Sequence, residues 1–409
     1  MTLLFENYRF RLLWIAITLA SLGDIVFITV QGWLTLDITD SPFWVGATMG
    51  MGGVGMISTV AIGGVLADLL PRRSIIVFSG IFRAAALILL TQTIFMGDVQ
   101  LWQILATSLL FGISDAMRAP AHMAFVVDIV GEKRVLSANA ANFVGLGIAG
   151  ISAPLIMALI VNSFGIGWAY IFIISVEIIS VMFLLNITAI PSLPTENNSR
   201  NLTSPYKTFK QGAVYIFSTN KIRNLIILAL ASEAFGWAHV SMLPVLARDI
   251  LNSGVSGLGY LQSASFAGFF IGSFVISIFS DIKWKEIITI VGSAGFSILI
   301  IALSISESLT LSLVIIFAAY CFGSVGEMCM ATLIQTSVPG HMRGRVGSFQ
   351  AFAWSINKLS SFYMGTISGL IGVQIAIAGS GILMLTSLIG VSRNILGSTS
   401  NELIYDSEN

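Results

Sequence analysis

The sequence predicts an all-α membrane protein in which twelve transmembrane helices form two pseudo-symmetric six-helix bundles. Three observations lead to this fold class: the composition, the apolar stretches and a repeat between the two halves. Hydrophobic residues make up 56% of the 409 residues, and charged residues only 10%. Soluble domains carry about 25% charged residues, so the composition excludes a cytosolic enzyme, a nucleic-acid-binding protein and a disordered scaffold.

Twelve apolar stretches are each long enough to cross a bilayer, which takes about 20 helical residues. These stretches, spans 1 to 12, cover residues 11–36, 44–67, 74–96, 101–127, 136–162, 167–190, 222–247, 256–280, 286–305, 309–337, 347–370 and 373–393. The first bundle is therefore expected at 1–190 and the second at 222–393. A polar linker at 191–221 separates them, and 394–409 forms a tail.

The basic residues predict the orientation in the membrane. If the N-terminus is cytoplasmic, sixteen Lys and Arg residues fall at the cytoplasmic ends of the spans, and Arg248 alone falls at the outer ends. Such a bias is typical of bacterial membrane proteins, whose cytoplasmic loops are rich in Lys and Arg. We therefore expect a multi-pass protein of the bacterial inner membrane with both termini and the linker in the cytoplasm.

The two halves of the chain resemble each other at an offset of about 212 residues. Asp37-Ile38 corresponds to Asp249-Ile250. Between later spans, Asp68 and Arg72 correspond to Asp281 and Lys285. Parallel repeats of this length indicate two bundles related by an axis along the membrane normal.

The loop between spans 2 and 3 carries the motif Gly64-Val-Leu-Ala-Asp68-Leu-Leu-Pro71-Arg72-Arg73. This motif resembles the loop signature of the major facilitator superfamily, G-x-x-x-D-x-x-G-R-[RK], with Pro71 in place of the usual glycine. Further segments resemble the drug:proton antiporter-like branch, which includes enterobactin exporters and macrolide efflux proteins. They are Ser21-Leu-Gly-Asp24, Ala119-Pro120-Ala121, Ser137-Ala-Asn139-Ala and Val338-Pro-Gly-His-Met-Arg343-Gly-Arg345.

The same loop predicts a latch on the cytoplasmic side. Asp68 can accept hydrogen bonds from the amino end of span 11, where unpaired N–H groups favour an anion, and Arg72 can reach Asp128. The resemblance implies that this region clamps the two halves together while the cavity opens outward. The predicted latch consists of Gly64, Asp68, Arg72, Arg73 and Asp128; the alternative is that the charged members only anchor the topology.

Ionisable residues near the middle of the spans are the candidate substrate or proton-coupling residues. Each costs at least roughly 2.5–3.5 kcal/mol to place in the bilayer centre, so each needs a reason to be there. The main candidates are Asp24, Asp115, Arg118, Glu233, Glu327 and Lys358, and a second group is Gln31, Arg83, Glu177 and His239. Five acids against three bases suit protons and cationic or zwitterionic substrates better than anions.

Structural alternatives stay open for most of these residues. Asp115 and Arg118 could simply neutralise each other, and Lys358 could form a static pair with Glu327. Arg83 could extend to the inner surface. Glu177 could flank the cavity or face lipid, and His239 could be a pH-sensitive group or a hydrogen-bonded packing residue. Asp24 could be a buried, hydrogen-bonded carboxylate.

Two motifs that suggest other functions are discounted. Gly50-x-Gly52-x-x-Gly55 and Gly145-x-Gly147-x-x-Gly150 match a dinucleotide-binding pattern, but both lie inside apolar spans and follow no strand. Glycines in such positions let helices approach closely. The sequence contains no metal-ligand cluster, nucleophile elbow or phosphate loop, so neither an enzyme nor a cofactor is expected.

The resemblance and the charged residues together predict a secondary transporter that exports a small amphipathic compound, drug-like or siderophore-like, in exchange for protons. Its cavity is expected between the halves, lined by spans 1, 4, 7 and 10. Its partners are expected to be the substrate, protons and the bilayer, without nucleic acid, and it is expected to work as a monomer. Two alternatives are a lysophospholipid-type flippase and a non-transporting receptor or assembly partner on the same fold.

Overall fold

The computed structural model describes residues 2–187, 205–279, 284–339 and 342–407. Within these ranges, the side chains of residues 2, 60–62, 64–69, 205–211, 343–345, 347–352, 354 and 396–407 are not described.

The helices of the first half are α1 Thr2–Glu6, α2 Tyr8–Thr39, α3 Pro42–Leu69, α4 Arg72–Met96, α5 Leu101–Val130, α6 Val135–Phe164 and α7 Ile166–Leu185. Glycines in the left-handed region end several of them; Gly97, at φ 76°, closes α4.

The second half begins with α8 Pro205–Ser218 and α9 Asn220–Ala231. Span 7 then changes its hydrogen bonding: a π-helical turn at Ser232–Gly236 is followed by a 3₁₀ segment at Trp237–Met242, α10 Leu243–Val245 and a second π-helical turn at Leu246–Ile250. The remaining helices are α11 Gly254–Ile278, α12 Lys285–Ser304, α13 Leu309–Ser337, α14 Arg343–Ile371 and α15 Val373–Ser407.

The all-α prediction is confirmed, and a helix covers each of the twelve predicted spans, with helix ends differing by a few residues. Within the described ranges, nine helices are long and apolar enough to cross a membrane. Span 7 is the exception to regularity, because it is not one continuous α-helix. Such interruptions within a membrane helix are tolerated where neighbouring side chains satisfy the freed backbone groups.

The chain divides into two compact units: residues 1–198 with 247–263, and residues 199–246 with 264–409. In the first unit, α2 packs against α6 and α7, α3 packs against α5, and α4 packs against α5 and α7. In the second unit, α12 packs against α13 and α15, and α9 packs against α15. Each unit has its own buried apolar core; Phe10, Ile75 and Phe125 belong to the first, and Leu225, Leu333 and Leu388 to the second.

Glycines allow the closest helix contacts in the first unit. A Cβ atom on Gly112 of α5 would collide with the carbonyl oxygen of Gly52 on α3, and one on Gly55 would collide with the carbonyl oxygen of Leu109. The Gly50–Gly55 motif therefore serves helix packing, as expected for small residues at membrane helix interfaces.

Candidate functional site

Five ionisable residues come together in the first unit, at the middle of four different helices. This N-terminal charge cluster consists of Asp24 on α2, Arg83 on α4, Asp115 and Arg118 on α5, and Glu177 on α7. The sequence predicted all five as candidates without predicting that they meet. Three carboxylates and two guanidinium groups give the cluster a formal charge of −1.

Both arginines contact all three acids. Arg83 donates to Oδ1 of Asp24, and its other nitrogens lie 3.3 Å from Asp115 Oδ1 and 3.2 Å from Glu177 Oε1. Arg118 donates to Oδ2 of Asp24 and lies 3.9 Å from Asp115 Oδ1 and 3.6 Å from Glu177 Oε1. Asp24 therefore bridges the two guanidinium groups with separate oxygens, whereas Asp115 presents the same oxygen to both.

The cluster has a buried side and an accessible side. The side chains of Arg83 and Glu177 are each 1% exposed, and that of Arg118 is 10% exposed. Those of Asp24 and Asp115 are 27% and 31% exposed. The two aspartates are therefore the partly exposed members of the cluster, and Glu177 and Arg83 are its buried members.

These positions decide two of the alternatives. Arg83 does not extend to the inner surface, because its side chain is buried among three carboxylates. Glu177 does not face lipid, because it is buried against the same arginine. The 3.9 Å contact between Asp115 and Arg118 is one of six within the cluster, so these two residues are not an isolated pair.

Aromatic and amide groups surround the cluster. The guanidinium carbon of Arg83 lies 4.0 Å from the ring centroid of Phe111, which stacks on Phe27 at 3.6 Å. Arginine over an aromatic face gains a favourable cation–π interaction. Nearby, Gln31 is 2% exposed; its amide donates to the Ile104 carbonyl at 2.9 Å and accepts from the Tyr170 hydroxyl at 2.6 Å.

Sequence reasoning missed Phe111 and Tyr170, although helical spacing could have found them. Phe111 precedes Asp115 by four residues, and Tyr170 precedes Glu177 by seven, so each lies on the same helix face as a candidate acid. Their roles become visible only when the neighbouring helices are known. Gln31 is buried and hydrogen-bonded, and its role in coupling stays a prediction.

Part of the predicted latch is described. Arg72 Nη1 lies 2.5 Å from Asp128 Oδ1, and it also donates to the carbonyl of Ala124 at 3.3 Å. Arg73 donates to the carbonyls of Leu184 and Leu185 at 2.9 and 2.6 Å. The arginine thus satisfies carbonyl groups at the carboxyl end of α7. The contacts of Gly64 and the side chain of Asp68 lie outside what the structure describes, so this part of the predicted latch stays a prediction.

The second unit carries its candidates around the irregular part of span 7. Glu233 lies in the π-helical turn and is 9% exposed, and Glu327 lies on α13. Asn357 donates to the carbonyl of Glu233 at 3.3 Å, and the hydroxyl of Tyr363 donates to the carbonyl of Ala234. Side chains of α14 therefore hydrogen-bond to backbone carbonyls of the π-helical turn.

The other two candidates of this unit differ in their surroundings. Lys358 is half-buried on α14, and its predicted pairing with Glu327 stays a prediction. His239 is fully buried; its Nδ1 lies 2.8 Å from the Gly236 carbonyl, and its Nε2 lies 3.4 Å from the Tyr320 hydroxyl. These contacts are those of a packing residue. Trp237 lies beside it, with its ring 4.5 Å from that of Phe296.

The residues that the structure describes provide no set of donor atoms for a metal ion. Among the residues that the structure describes, no group of three or more His, Cys, Asp or Glu side chains could hold a metal ion. The N-terminal charge cluster instead pairs its acids with arginines.

Comparison with known proteins identifies the family of the chain. The family described as "transmembrane secretion effector", a major facilitator family, matches residues 4–407. The chain is 22% identical over 408 residues to the enterobactin exporter EntS of Shigella flexneri, covering 96% of this chain and 95% of that protein. It is 25% identical over 287 residues to the MFS-type transporter YfmI of Bacillus subtilis strain 168, covering 66% and 67%.

Solved structures show the same fold at lower identity. The nucleoside transporter NupG is similar with a TM-score of 0.74 and 14% identity, covering 94% of this chain and 98% of NupG. A bacterial homologue of the human lysosomal transporter Spinster is similar with a TM-score of 0.73 and 14% identity, covering 95% and 98%. The chain therefore belongs to the transmembrane secretion effector family of the major facilitator superfamily, and it is a multi-pass membrane transporter, not an enzyme.

Proposed function

We propose that this chain is a proton-coupled exporter of a small amphipathic compound, working by alternating access in the bacterial inner membrane. The observation that carries the proposal is the N-terminal charge cluster, in which three acids share two arginines and two of the acids are partly exposed. An ion cluster that is only structural would gain most from balanced charges, because an unmatched charge in the membrane is costly.

The excess charge favours binding of one proton or one cationic group. Asp24 and Asp115 are partly exposed, so either can take a proton, and Arg118 can then shift toward the acid that remains ionised. Antiport needs such an exchange, in which the proton and the substrate occupy the same charges at different times. A cation that binds these aspartates from the cytoplasm, leaves when the site opens outward and is replaced there by a proton from the outside would be exported; the proton is then released to the cytoplasm.

The substrate class follows from the same charges. The intramembrane acids outnumber the bases by five to three in the sequence, which favours cationic or zwitterionic compounds with an apolar body. The similarity to enterobactin exporters adds siderophore-like compounds to the panel worth testing. In the second unit, Glu233 and Glu327 form the second acidic position, and Trp237 supplies an aromatic surface close by.

The test is flux through proteoliposomes that contain the purified full-length chain, with and without an imposed pH gradient. Ethidium represents cations, erythromycin represents macrolides and enterobactin represents siderophores. We expect the gradient to accelerate transport of at least one of the first two, and the acceleration to disappear in Asp24→Asn and Asp115→Asn. The matched control is Glu286→Gln, which neutralises a buried acid of the second unit that lies 3.3 Å from Lys221. This variant should keep the acceleration by the gradient.

Equal flux with and without the gradient for every compound would refute proton coupling. Movement of a fluorescent lysophospholipid that is independent of the gradient would then favour the flippase alternative. Binding of a compound without any flux would favour the receptor alternative.

A further inference from the structure

We propose that Glu177 is a positioning residue that sets the charge of the N-terminal charge cluster. Its buried carboxylate matches one of the two guanidinium charges in every protonation state, so that Asp24 and Asp115 together carry two negative charges against the one positive charge that remains. The cluster thereby keeps one excess negative charge, which a proton neutralises. This inference rests on the proposed proton coupling and gives it a structural origin.

The position of Glu177 suits a permanent counter-ion. The side chain is 1% exposed, and Oε1 lies 3.2 Å from Arg83 Nε and 3.6 Å from Arg118 Nη1. It reaches this place because α4 and α7 approach closely at Gly80. A Cβ atom on that residue would lie 2.7 Å from Cγ2 of Val181 and 3.6 Å from Glu177 Oε2.

Arg83 cannot leave Glu177 when the aspartates change their charge. The arginine is as deeply buried as the glutamate, and the Phe111 ring occupies another side of its guanidinium group at 4.0 Å. A buried guanidinium that lost its counter-ion would be strongly unfavourable in a low-dielectric surrounding. Glu177 and Arg83 therefore act as a fixed pair, and the exchangeable charges are Arg118 and the two aspartates.

The neighbouring helices add few other charges. Of the helices packed against α7, α2 supplies Asp24 and α4 supplies Arg83 to the cluster, and α6 contains no ionisable residue. On the adjoining α5, Asp115 and Arg118 are joined by His122, which lies one turn beyond Arg118. The charge count of the cluster is thus decided mainly by its five members.

The inference predicts how proton binding responds to loss of the Glu177 charge. In the original protein, the proton binds to a cluster whose charge is −1. In Glu177→Gln, the same proton would have to bind to a cluster without net charge. Loss of one nearby charge, in a medium of effective dielectric constant about 20, should move the midpoint of carboxyl protonation by about one to two pH units toward acid.

The experiment is an infrared titration of the purified full-length protein, following the carbonyl stretch of protonated carboxyl groups against pH. Asp24→Asn and Asp115→Asn assign the band to the aspartates. We expect Glu177→Gln to shift the midpoint toward acid, whereas Glu177→Asp, which keeps the charge, stays close to the original protein. Glu286→Gln removes a buried, ion-paired acid of the second unit and should leave the midpoint unchanged.

An unshifted midpoint in Glu177→Gln, an equal shift in Glu177→Asp, or no titrating band in the original protein would overturn the inference. If Glu177→Gln does not accumulate, Arg118→Gln supplies the opposite test. It leaves the cluster at −2, so the midpoint must move toward alkaline pH, and no movement would overturn the inference as well.

Gradient-driven flux in the same variants separates this inference from the proposed function. Flux of the original protein that ignores the gradient, combined with a shifted titration, would refute proton-coupled export and leave the role of Glu177 standing. Flux that follows the gradient, combined with an unshifted titration, would refute only the role of Glu177.

Discussion

Asp24 on α2 accepts a hydrogen bond from Arg118 on α5, 94 residues further along the chain, through Oδ2. Its other carboxylate oxygen accepts from Arg83 on α4. One side chain thus holds three helices of the first unit together at their midpoints, which makes Asp24 a structural residue as well as a candidate coupling residue.

The two aspartates should therefore differ when each is replaced by asparagine. Asp24→Asn turns an amide toward one of two buried guanidinium groups, and breaking a buried ion pair costs about 3–5 kcal/mol. Since the Asp24 side chain is 27% exposed, we expect Asp24→Asn to lower the free energy of unfolding by an amount near the lower end of this range. For Asp115→Asn we expect a decrease of about 1 kcal/mol. Thermal unfolding in detergent measures both, and a lower unfolding temperature for Asp115→Asn would contradict this reading.

The pair formed by Arg72 and Asp128 should matter for transport rate. It joins the amino end of α4 to the carboxyl end of α5 at 2.5 Å, with side-chain exposures of 23% and 13%. We expect Asp128→Asn to slow gradient-driven flux about tenfold, which corresponds to about 1.4 kcal/mol. The double variant that carries Arg72→Asp and Asp128→Arg should restore much of the flux rate. If its flux is no faster than that of either single variant, the pair acts only on topology.

Close packing of α3 and α5 predicts a sharp effect at Gly112. In Gly112→Ala, the new methyl group would meet the backbone of Gly52, so the two helices must separate. We expect strongly reduced accumulation in the membrane, because overpacking a close helix interface typically costs 1–3 kcal/mol. Gly390→Ala is the control, since a Cβ atom there meets nothing within 4 Å. Equal accumulation of the two variants would argue against the close contact.

The irregular segment of span 7 should depend on Tyr363. Its hydroxyl donates to the carbonyl of Ala234, which lies within the π-helical turn. Tyr363→Phe should cost about 1 kcal/mol and lower the unfolding temperature by roughly 2–4 °C. Tyr260→Phe removes the hydroxyl of a tyrosine that is 49% exposed, and it should change the unfolding temperature less. The prediction is wrong if the two variants have the same unfolding temperature.

Sequence reasoning located the helices well because the signal is local. An apolar stretch of about 20 residues can satisfy its backbone in a membrane only as a helix, so composition alone decides most elements. The interruption at Ser232–Met242 was not predicted, because Glu233, Trp237 and His239 stand in an otherwise apolar span and only contacts with α14 reveal why the backbone departs from regular pairing.

The amino-acid sequence by itself determined which residues are ionisable, that they lie near the middle of membrane helices, and that they must therefore have partners. Only the tertiary structure decided the partners. Glu177 and Arg83 are 94 residues apart in sequence and 3.2 Å apart in space, and their burial behind Asp24 and Asp115 depends on how α2, α4, α5 and α7 pack. The physical reason is that the cost of a buried charge is local, whereas its compensation comes from whichever helix lies beside it.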